Sequence, residues 1–361
     1  MNLRQVTNIL PNLMQKGSAR LPLNSSTEIR ITRLCTQRCR QCSVYRRTTH
    51  PPTMGLGDFR RVTRRLRHYG AYIGFISGGE ATLAPHLDKI LEEAKRTFIL
   101  STTLVTGLVN RPETIRRAGR LALERDIHIQ TSLDGLGDLG DDLRGVKNHA
   151  KTVLGHMEWF SRNRGQSRSL LYANIVLNDR NLDQVPELIR RVSDLGWKAT
   201  IGLYHTLTPT TQADDALRLR PGRRLDKLAD LLEGHPGILN LDSFIRGIRP
   251  FVEGRSPELC AFTDAPVLAT RTTIMENGDL HLCWGDPVGN LLRQSMERIF
   301  TGELYQSQIR EYASCTGCWT TCYTQRLLLI RPRTWHDLTS NFRKVHALRK
   351  TRQSPVIRMD I

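Results

Sequence analysis

The feature that most constrains this chain is a regular alternation of strand-like and helix-like segments across residues 27–205. Short apolar or β-branched stretches are separated by longer stretches in which apolar residues recur at helical spacing. The strand-like stretches span 27–34, 71–77, 98–105, 127–133, 170–178 and 197–205, and the helix-like ones span 57–70, 85–96, 111–126, 149–163 and 182–196. Strands joined by helical crossovers form a parallel sheet, so the pattern predicts an α/β fold, either a doubly wound sheet or a barrel.

The strand–helix alternation stops on both sides of this region, which indicates that separate segments precede and follow the α/β part of the chain. Around Asn277-Gly278, residues 267–283 predict a β-hairpin, and residues 295–313 predict a helix. We therefore divide the chain into a lead-in with a short helix (1–25), an α/β region (26–206), a linker with one helix at 223–234 (207–258), a small α+β domain (259–325) and a basic, largely helical tail (326–361).

Composition narrows the class of protein. The 361 residues are 39% hydrophobic and 24% charged, which is typical of a globular chain. There is no apolar run of about 18 residues and no convincing secretion signal, so we expect a cytoplasmic protein without a membrane span. The net charge of +18 favours an anionic partner, such as nucleic acid, a phosphorylated metabolite, an acidic peptide or a lipid surface. A GC-rich genome would explain the excess of Arg over Lys, though not the net charge.

The eight cysteines fall into two groups far apart in the sequence, Cys35–Cys42 and Cys260–Cys322. Without a secretion signal, such clusters indicate metal or redox chemistry in preference to disulfides. In the first group, Cys35, Cys39 and Cys42 have the spacing C-x3-C-x2-C. Three thiolates on a short loop can hold three irons of a cubane cluster and leave the fourth iron open to another ligand. A zinc site or chance clustering is the alternative for the spacing alone.

Two polar motifs follow strands of the predicted sheet. Ser77-Gly78-Gly79-Glu80 ends the second strand, and Ser132-Leu133-Asp134-Gly135 ends the fourth. Ligand sites in parallel α/β folds lie at the carboxyl ends of the strands, which is where the cysteine loop after the first strand also lies. An ordinary turn is the alternative interpretation of each motif.

Together, the cysteine spacing and the two motifs resemble the radical S-adenosylmethionine (SAM) superfamily, and the resemblance extends from Thr27 to Cys322. It implies a partial (β/α)6 TIM-like barrel and a catalytic [4Fe–4S] cluster on Cys35, Cys39 and Cys42. The open iron of such a cluster chelates the amino and carboxylate groups of SAM.

The resemblance also implies roles for individual side chains. Gly78, Gly79 and Glu80 correspond to a motif that contacts the methionine amino group. Ser132 and Asp134 would lie near the ribose and the substrate, with Asp134 as the candidate catalytic residue. The remaining cofactor-binding candidates are Arg144, as partner of the methionine carboxylate, and Asn174. A solvated surface position is the alternative for Arg144.

The sequence departs from this family at two positions. Gln41 stands where an aromatic residue usually precedes the third cysteine and packs near the adenine, and Ala81 stands where Pro is common. The adenine contact would then be polar or supplied elsewhere, while ligation by the cysteines is unaffected.

The second cysteine group resembles the SPASM/twitch extension, which carries auxiliary [4Fe–4S] clusters. Five cysteines imply one auxiliary cluster, held by Cys260, Cys283 and Cys315 with either Cys318 or Cys322 as the fourth ligand. A structural zinc on the same cysteines is the alternative.

The implied reaction is reductive cleavage of SAM to a 5′-deoxyadenosyl radical, which abstracts hydrogen from a substrate. A reductant such as flavodoxin or ferredoxin would supply the electron.

The preferred substrate is a peptide or protein side chain. A dehydrogenase or epimerase acting on an anionic metabolite or lipid precursor is the first alternative. A basic, metal-stapled nucleic-acid-binding protein is the second.

Overall fold

The computed structural model describes residues 21–24, 26–44, 52–207, 211–255, 257–264 and 270–353. Most of the expected lead-in over residues 1–25 lies outside the described residues. Among the described residues, no helix combines the length and the apolar character needed to cross a bilayer.

Six parallel strands form the first part of the sheet, and helices connect them. The strands are β1 (Ser26–Arg30), β2 (Ile73–Ser77), β3 (Ser101–Val105), β4 (His128–Ser132), β5 (Leu171–Leu177) and β6 (Lys198–Leu203). The helices between them are α1 (Leu56–Tyr69), α2 (Leu87–Thr97), α3 (Pro112–Glu124), α4 (Gly137–Arg144), α5 (His149–Asn163) and α6 (Val185–Asp194). This arrangement confirms the predicted α/β fold and its strand–helix alternation.

The C-terminal part continues the same sheet. Strand β7 (Arg271–Ile274) pairs in parallel with β1, and β8 (Asp279–His281) and β9 (Gly289–Asn290) follow in antiparallel order. Over the described residues the strand order is β6-β5-β4-β3-β2-β1-β7-β8-β9. The turn between β7 and β8 contains Asn277 and Gly278, where the sequence predicts it.

The remaining helices surround this sheet. They are α7 (Arg223–Leu232), α8 (Asp242–Arg246), α9 (Ile248–Val252), α10 (Ala261–Asp264), α11 (Met296–Phe300), α12 (Glu303–Tyr312), α13 (Thr324–Ile330) and α14 (Trp335–Gln353). The single helix predicted over 295–313 is therefore wrong in one respect, because the chain breaks at Thr301 and Gly302. The backbone N–H groups of both residues close the end of α11 before α12 begins.

Alternation along the strands separates an apolar outer face from a polar inner face. Ile29, Ile76, Ile129 and Ile201 are buried between the sheet and the helices. Residues of α1 that belong to the same core, such as Phe59 and Leu66, recur at helical spacing. Since neighbouring strand residues point to opposite faces, polar residues such as Glu28 lie on the inner face.

Glu28 ties three adjacent strands together on this inner face. Its carboxylate accepts hydrogen bonds from Ser77 of β2 (2.6 Å) and Arg271 of β7 (2.8 Å), and it pairs with Arg30 of β1 (3.1 Å). The Arg271 guanidinium also lies over the ring of Phe75, 5.0 Å from its centroid. Burial alone would raise the pKa of Glu28, but the charges of Arg30 and Arg271 lower it to about 2.

A lowered pKa predicts a pH-dependent contribution of Glu28 to stability. The ionised carboxylate stabilises the fold fully above the unfolded-state pKa, and this contribution is lost as pH falls toward about 2. We expect Glu28→Gln to be less stable than wild type at neutral pH. The difference in the free energy of unfolding between the two proteins should narrow by about 1 kcal/mol between about pH 7 and pH 4. Urea unfolding of wild type and the variant across this pH range measures these free energies. A difference in free energy that does not depend on pH would contradict the lowered pKa of Glu28.

Candidate functional site

The cysteine loop begins directly beyond β1, at the carboxyl end of the sheet. Cys39 is buried, and Cys35 and Cys42 are half-buried. Burial, together with the charges of Cys39, Glu80 and Cys42, raises the pKa of Cys35 to about 12. The three thiols therefore lie close enough to affect one another, as ligands of one cluster must.

Gln37 belongs to the same loop, and the sequence analysis missed it. Its backbone N–H lies 3.4 Å from the sulfur of Cys35, and its side-chain oxygen lies 3.5 Å from that of Cys39. Its buried Nε2 has no hydrogen-bond partner within the described part of the chain. The spacing of the cysteines carries no signal for this contact.

Gly78 and Gly79 bring the end of β2 against the start of the cysteine loop. A Cβ on Gly78 would lie 2.4 Å from the carbonyl oxygen of Thr32, and one on Gly79 would lie 2.2 Å from that of Leu34. The N–H groups of Gly79 and Glu80 donate to these same two oxygens, each over 2.7 Å. Only glycine permits so close a backbone contact.

Glu80 is fully buried and hydrogen-bonded. Its Oε1 accepts from the hydroxyls of Thr82 and Thr106 (both 2.6 Å) and from the N–H of Thr82 (3.1 Å), and its Oε2 accepts from the N–H of Gly107 (2.8 Å). Burial raises the pKa of Glu80, and these hydrogen bonds oppose the rise. The carboxylate thus joins the loop after β3 to the Gly-Gly-Glu turn.

Asp134 and Arg144 form a buried ion pair of 2.6 Å beside the cysteine loop. Asp134 also accepts from the N–H of Val176 (2.8 Å) and from Nε2 of Gln41 (3.1 Å). Nη1 of Arg144 lies 3.8 Å from the sulfur of Cys39. Gln41 therefore makes a polar contact at the position where the family usually has an aromatic residue.

Arg144 is 7% exposed, so the alternative of a solvated surface position is wrong. Burial alone would lower the pKa of Arg144, but the charges of Asp134 and Cys39 raise it. Its buried Nε has no partner among the described residues. The side chain therefore retains one donor that the fold itself does not use.

Ser132 is the last residue of β4 and pairs in register with Asn174, in the middle of β5. Both are half-buried on the inner face. Oδ1 of Asn174 accepts a hydrogen bond from the hydroxyl of Thr200 (3.0 Å). The structure thus brings these two candidates to the same edge of the sheet as the cysteine loop.

A cavity of about 130 Å³ lies between the cysteine loop, Gly78 and the β7–β8 hairpin. Five buried polar atoms of its lining have no hydrogen-bond partner within the described residues: Nε of Arg30, Nε of Arg33, both carboxylate oxygens of Glu276 and Nδ1 of His281. Three of these atoms are nonetheless in ion pairs, because Nε of Arg33 lies 2.5 Å from Glu276 and Nε of Arg30 lies 3.1 Å from Glu28. The sequence analysis missed this cavity because its residues come from segments far apart in the chain.

Four cysteines of the second group, Cys260, Cys283, Cys315 and Cys318, line one cavity with aromatic neighbours. The hydroxyl of Tyr312, part of this lining, accepts from the N–H of Cys283 (3.1 Å) and donates to the carbonyl of Trp284 (2.6 Å). Burial raises the pKa of Cys318 to about 11.

Cys322 lies apart from this cavity and is exposed. Of the two cysteines between which the sequence could not choose, the cavity therefore includes Cys318 and leaves out Cys322.

The donor sets fit iron–sulfur clusters. Each set consists of thiols, the ligands that such clusters require. Within the described residues, no three His, Cys, Asp or Glu side chains are arranged to hold a single metal ion.

Comparison with known proteins identifies the first part of the chain. Residues 29–203 match the model of the Radical SAM superfamily. The sporulation killing factor maturation protein SkfB of Bacillus subtilis is 22% identical over 180 residues, which are 50% of this chain and 42% of that protein. Pre-heme d1 synthase of Dinoroseobacter shibae is 26% identical over 219 residues, 57% of this chain and 52% of that protein. The chain thus spans about half the length of the curated relatives it matches.

A solved structure shares the fold. SuiB of Streptococcus suis superposes with a TM-score of 0.61 at 16% identity, covering 85% of this chain and 73% of that one. SuiB has also been solved bound to S-adenosylmethionine and bound to the precursor peptide SuiA. Members of the matched superfamily are enzymes that use a [4Fe–4S] cluster and SAM. Residues 29–203 of this chain are therefore similar to the radical SAM domain, and the fold matches that of SuiB.

Proposed function

We propose that this protein cleaves SAM reductively at a [4Fe–4S] cluster held by Cys35, Cys39 and Cys42, and modifies a peptide or protein side chain. The observation that carries the proposal is the packing of the three-cysteine loop against the Gly78-Gly79 backbone and the buried Arg144–Asp134 pair. When bound, the cluster and SAM supply the electron transfer and the radical that abstracts hydrogen.

The surrounding residues bind and orient SAM in this proposal. The Gly78-Gly79 turn packs against the start of the cysteine loop because neither residue carries a side chain, and we assign this turn to the methionine amino group. Nε of Arg144, which has no partner within the described residues, is the donor for the methionine carboxylate. Ser132 and Asn174 lie where the ribose would pass. Asp134 is buried and fully engaged, so we assign it the positioning of Arg144 and Gln41 in place of direct contact with substrate.

An auxiliary [4Fe–4S] cluster in the C-terminal cavity is the second part of the proposal. Cys260, Cys283, Cys315 and Cys318 would be its four ligands, since these thiols line one cavity. Cys322 would then stay free of the cluster. A cluster held in this cavity would supply electron transfer to or from the substrate, or would shape the pocket. A flavodoxin or ferredoxin would be the reductant of the catalytic cluster.

A peptide substrate is supported by two similar proteins. SkfB is a maturation protein, and SuiB was solved with a precursor peptide. The cavity beside the cysteine loop is lined by charges of both signs, including the Arg33–Glu276 ion pair, which suits the mixed polarity of a peptide. The similarity to pre-heme d1 synthase and the net charge of +18 favour an anionic small molecule as the second candidate. Co-expression with a candidate precursor peptide, followed by mass spectrometry of that peptide, distinguishes the two.

The core reaction is tested by anaerobic reconstitution with dithionite and SAM. We expect 5′-deoxyadenosine to form, and we expect Cys39→Ala to abolish it because the cluster loses a ligand. Chromatography with mass spectrometry measures the product. Cys322→Ala is the matched control and should still form it. Zinc in place of iron, with no cleavage of SAM, would refute the proposal.

Iron content tests the ligands of the auxiliary cluster. Two clusters require about eight irons per chain. Cys318→Ala should retain about four, whereas Cys322→Ala should retain about eight. Iron analysis with absorption spectroscopy of the anaerobic proteins measures the difference. Loss of iron in the Cys322 variant, with retention in the Cys318 variant, would reverse the assignment.

Affinity for SAM tests the role of Arg144. Arg144→Lys keeps the positive charge but loses the planar fork that can bond Asp134 and a carboxylate together. We expect SAM to bind about tenfold more weakly, with iron content unchanged. Isothermal titration calorimetry on the oxidised, reconstituted protein measures the dissociation constant. An unchanged affinity would limit Arg144 to its pairing with Asp134.

A further inference from the structure

The long C-terminal helix α14 is attached to the protein through its polar side. Asn341 exchanges hydrogen bonds with Ser243 of α8 (2.8 and 3.0 Å), and Lys344 donates to the carbonyl of His235 (2.7 Å). Asp337 pairs with Arg246. These three residues of α14 are buried although they are polar or charged.

Three large apolar side chains of the same helix face outward, whereas Val345 packs against the core. Trp335 is 78% exposed, Phe342 is 73% exposed and Leu338 is 39% exposed. Spacings of three and four residues place them in one stripe along the helix. A surface helix normally buries its apolar stripe and exposes its polar face, so the arrangement in α14 is reversed. An exposed stripe of large apolar residues marks an interaction surface.

The charge around this stripe is positive. The α14 sequence WHDLTSNFRKVHALRKTRQ contains five Arg or Lys residues and one Asp, of which Lys344 and Asp337 lie on the side bonded to the protein, while Arg343 is exposed beside Phe342. Arg331 and Arg333 come just before it, and both are exposed. Basic helices with Trp, Phe and Leu on one side are typical of helices that lie in the interface of an anionic membrane.

We propose that α14 docks the protein on an anionic membrane surface. Trp335, Leu338 and Phe342 enter the headgroup region, and the neighbouring arginines pair with anionic lipid headgroups. Because the polar side of α14 is bonded to α8, the apolar stripe points away from the protein, as docking on a flat surface requires. A second copy of this chain is a poorer partner, since two molecules of charge +18 repel each other. The inference is independent of the SAM reaction.

Sedimentation with lipid vesicles tests this proposal on the full chain. We expect wild type to bind vesicles of phosphatidylcholine with about 30% phosphatidylglycerol, and to bind pure phosphatidylcholine vesicles far more weakly. The double variant Trp335→Ser, Phe342→Ser should lose about tenfold or more of this affinity. Leu304→Ser removes a leucine of α12 that is 65% exposed and lies outside the stripe, and it should bind like wild type.

Two controls keep the result decisive. The double variant should match wild type in urea unfolding, because both side chains are exposed in the folded protein. Sedimentation velocity without lipid reports self-association. No binding of wild type to anionic vesicles, or equal binding by the double variant, would overturn the proposal. Self-association that the double variant abolishes would also overturn it, by assigning the stripe to contact between copies of the chain.

Discussion

The close backbone contact between the Gly78-Gly79 turn and residues Thr32–Leu34 is the constraint on which the rest of the site depends. It fixes where the chain leaves β1 and hence where Cys35 begins its loop. Any Cβ at either glycine would force these segments apart. The same turn carries Glu80, which holds the loop after β3 through hydrogen bonds from Thr106 and Gly107. The geometry of the thiols therefore follows from backbone packing between parallel strands, before any cofactor is bound.

The buried Arg144–Asp134 pair is the electrostatic counterpart of this backbone contact. Burying two charges is costly, and it is tolerated when hydrogen bonds satisfy both groups. Asp134 meets this condition, because it accepts from Arg144, Gln41 and Val176. Arg144 meets it only in part, since its Nε has no partner in the described residues. The guanidinium of Arg144 is therefore buried beside Cys39 with its Nε available to donate to a carboxylate ligand.

Local signals explain which features were predictable from the sequence. The strand–helix alternation, the β7–β8 hairpin and the cysteine loop each depend on residues close together in the chain. Helix α4 was missed because its sequence, GDLGDDLR, is short and contains two glycines and little apolar periodicity. The pairing of Arg33 with Glu276 and the separation of Cys322 from the other cysteines depend on contacts between distant segments. No local pattern encodes such contacts, so only the folded chain shows them.

The pairing of β7 with β1 relates the two cysteine groups to one another. Strand β1 leads into the Cys35–Cys42 loop, and the hairpin that begins with β7 ends just before Cys283. The two groups are therefore connected through hydrogen-bonded neighbours in one sheet, reinforced by the Glu28–Arg271 pair on its inner face. The cavity containing Arg30, Glu276 and His281 lies between these two strand ends. A substrate held in this cavity would contact the parts of the protein that carry the first and the second cysteine group. The pairing of β7 with β1, and not a flexible linker, sets the distance between these two parts.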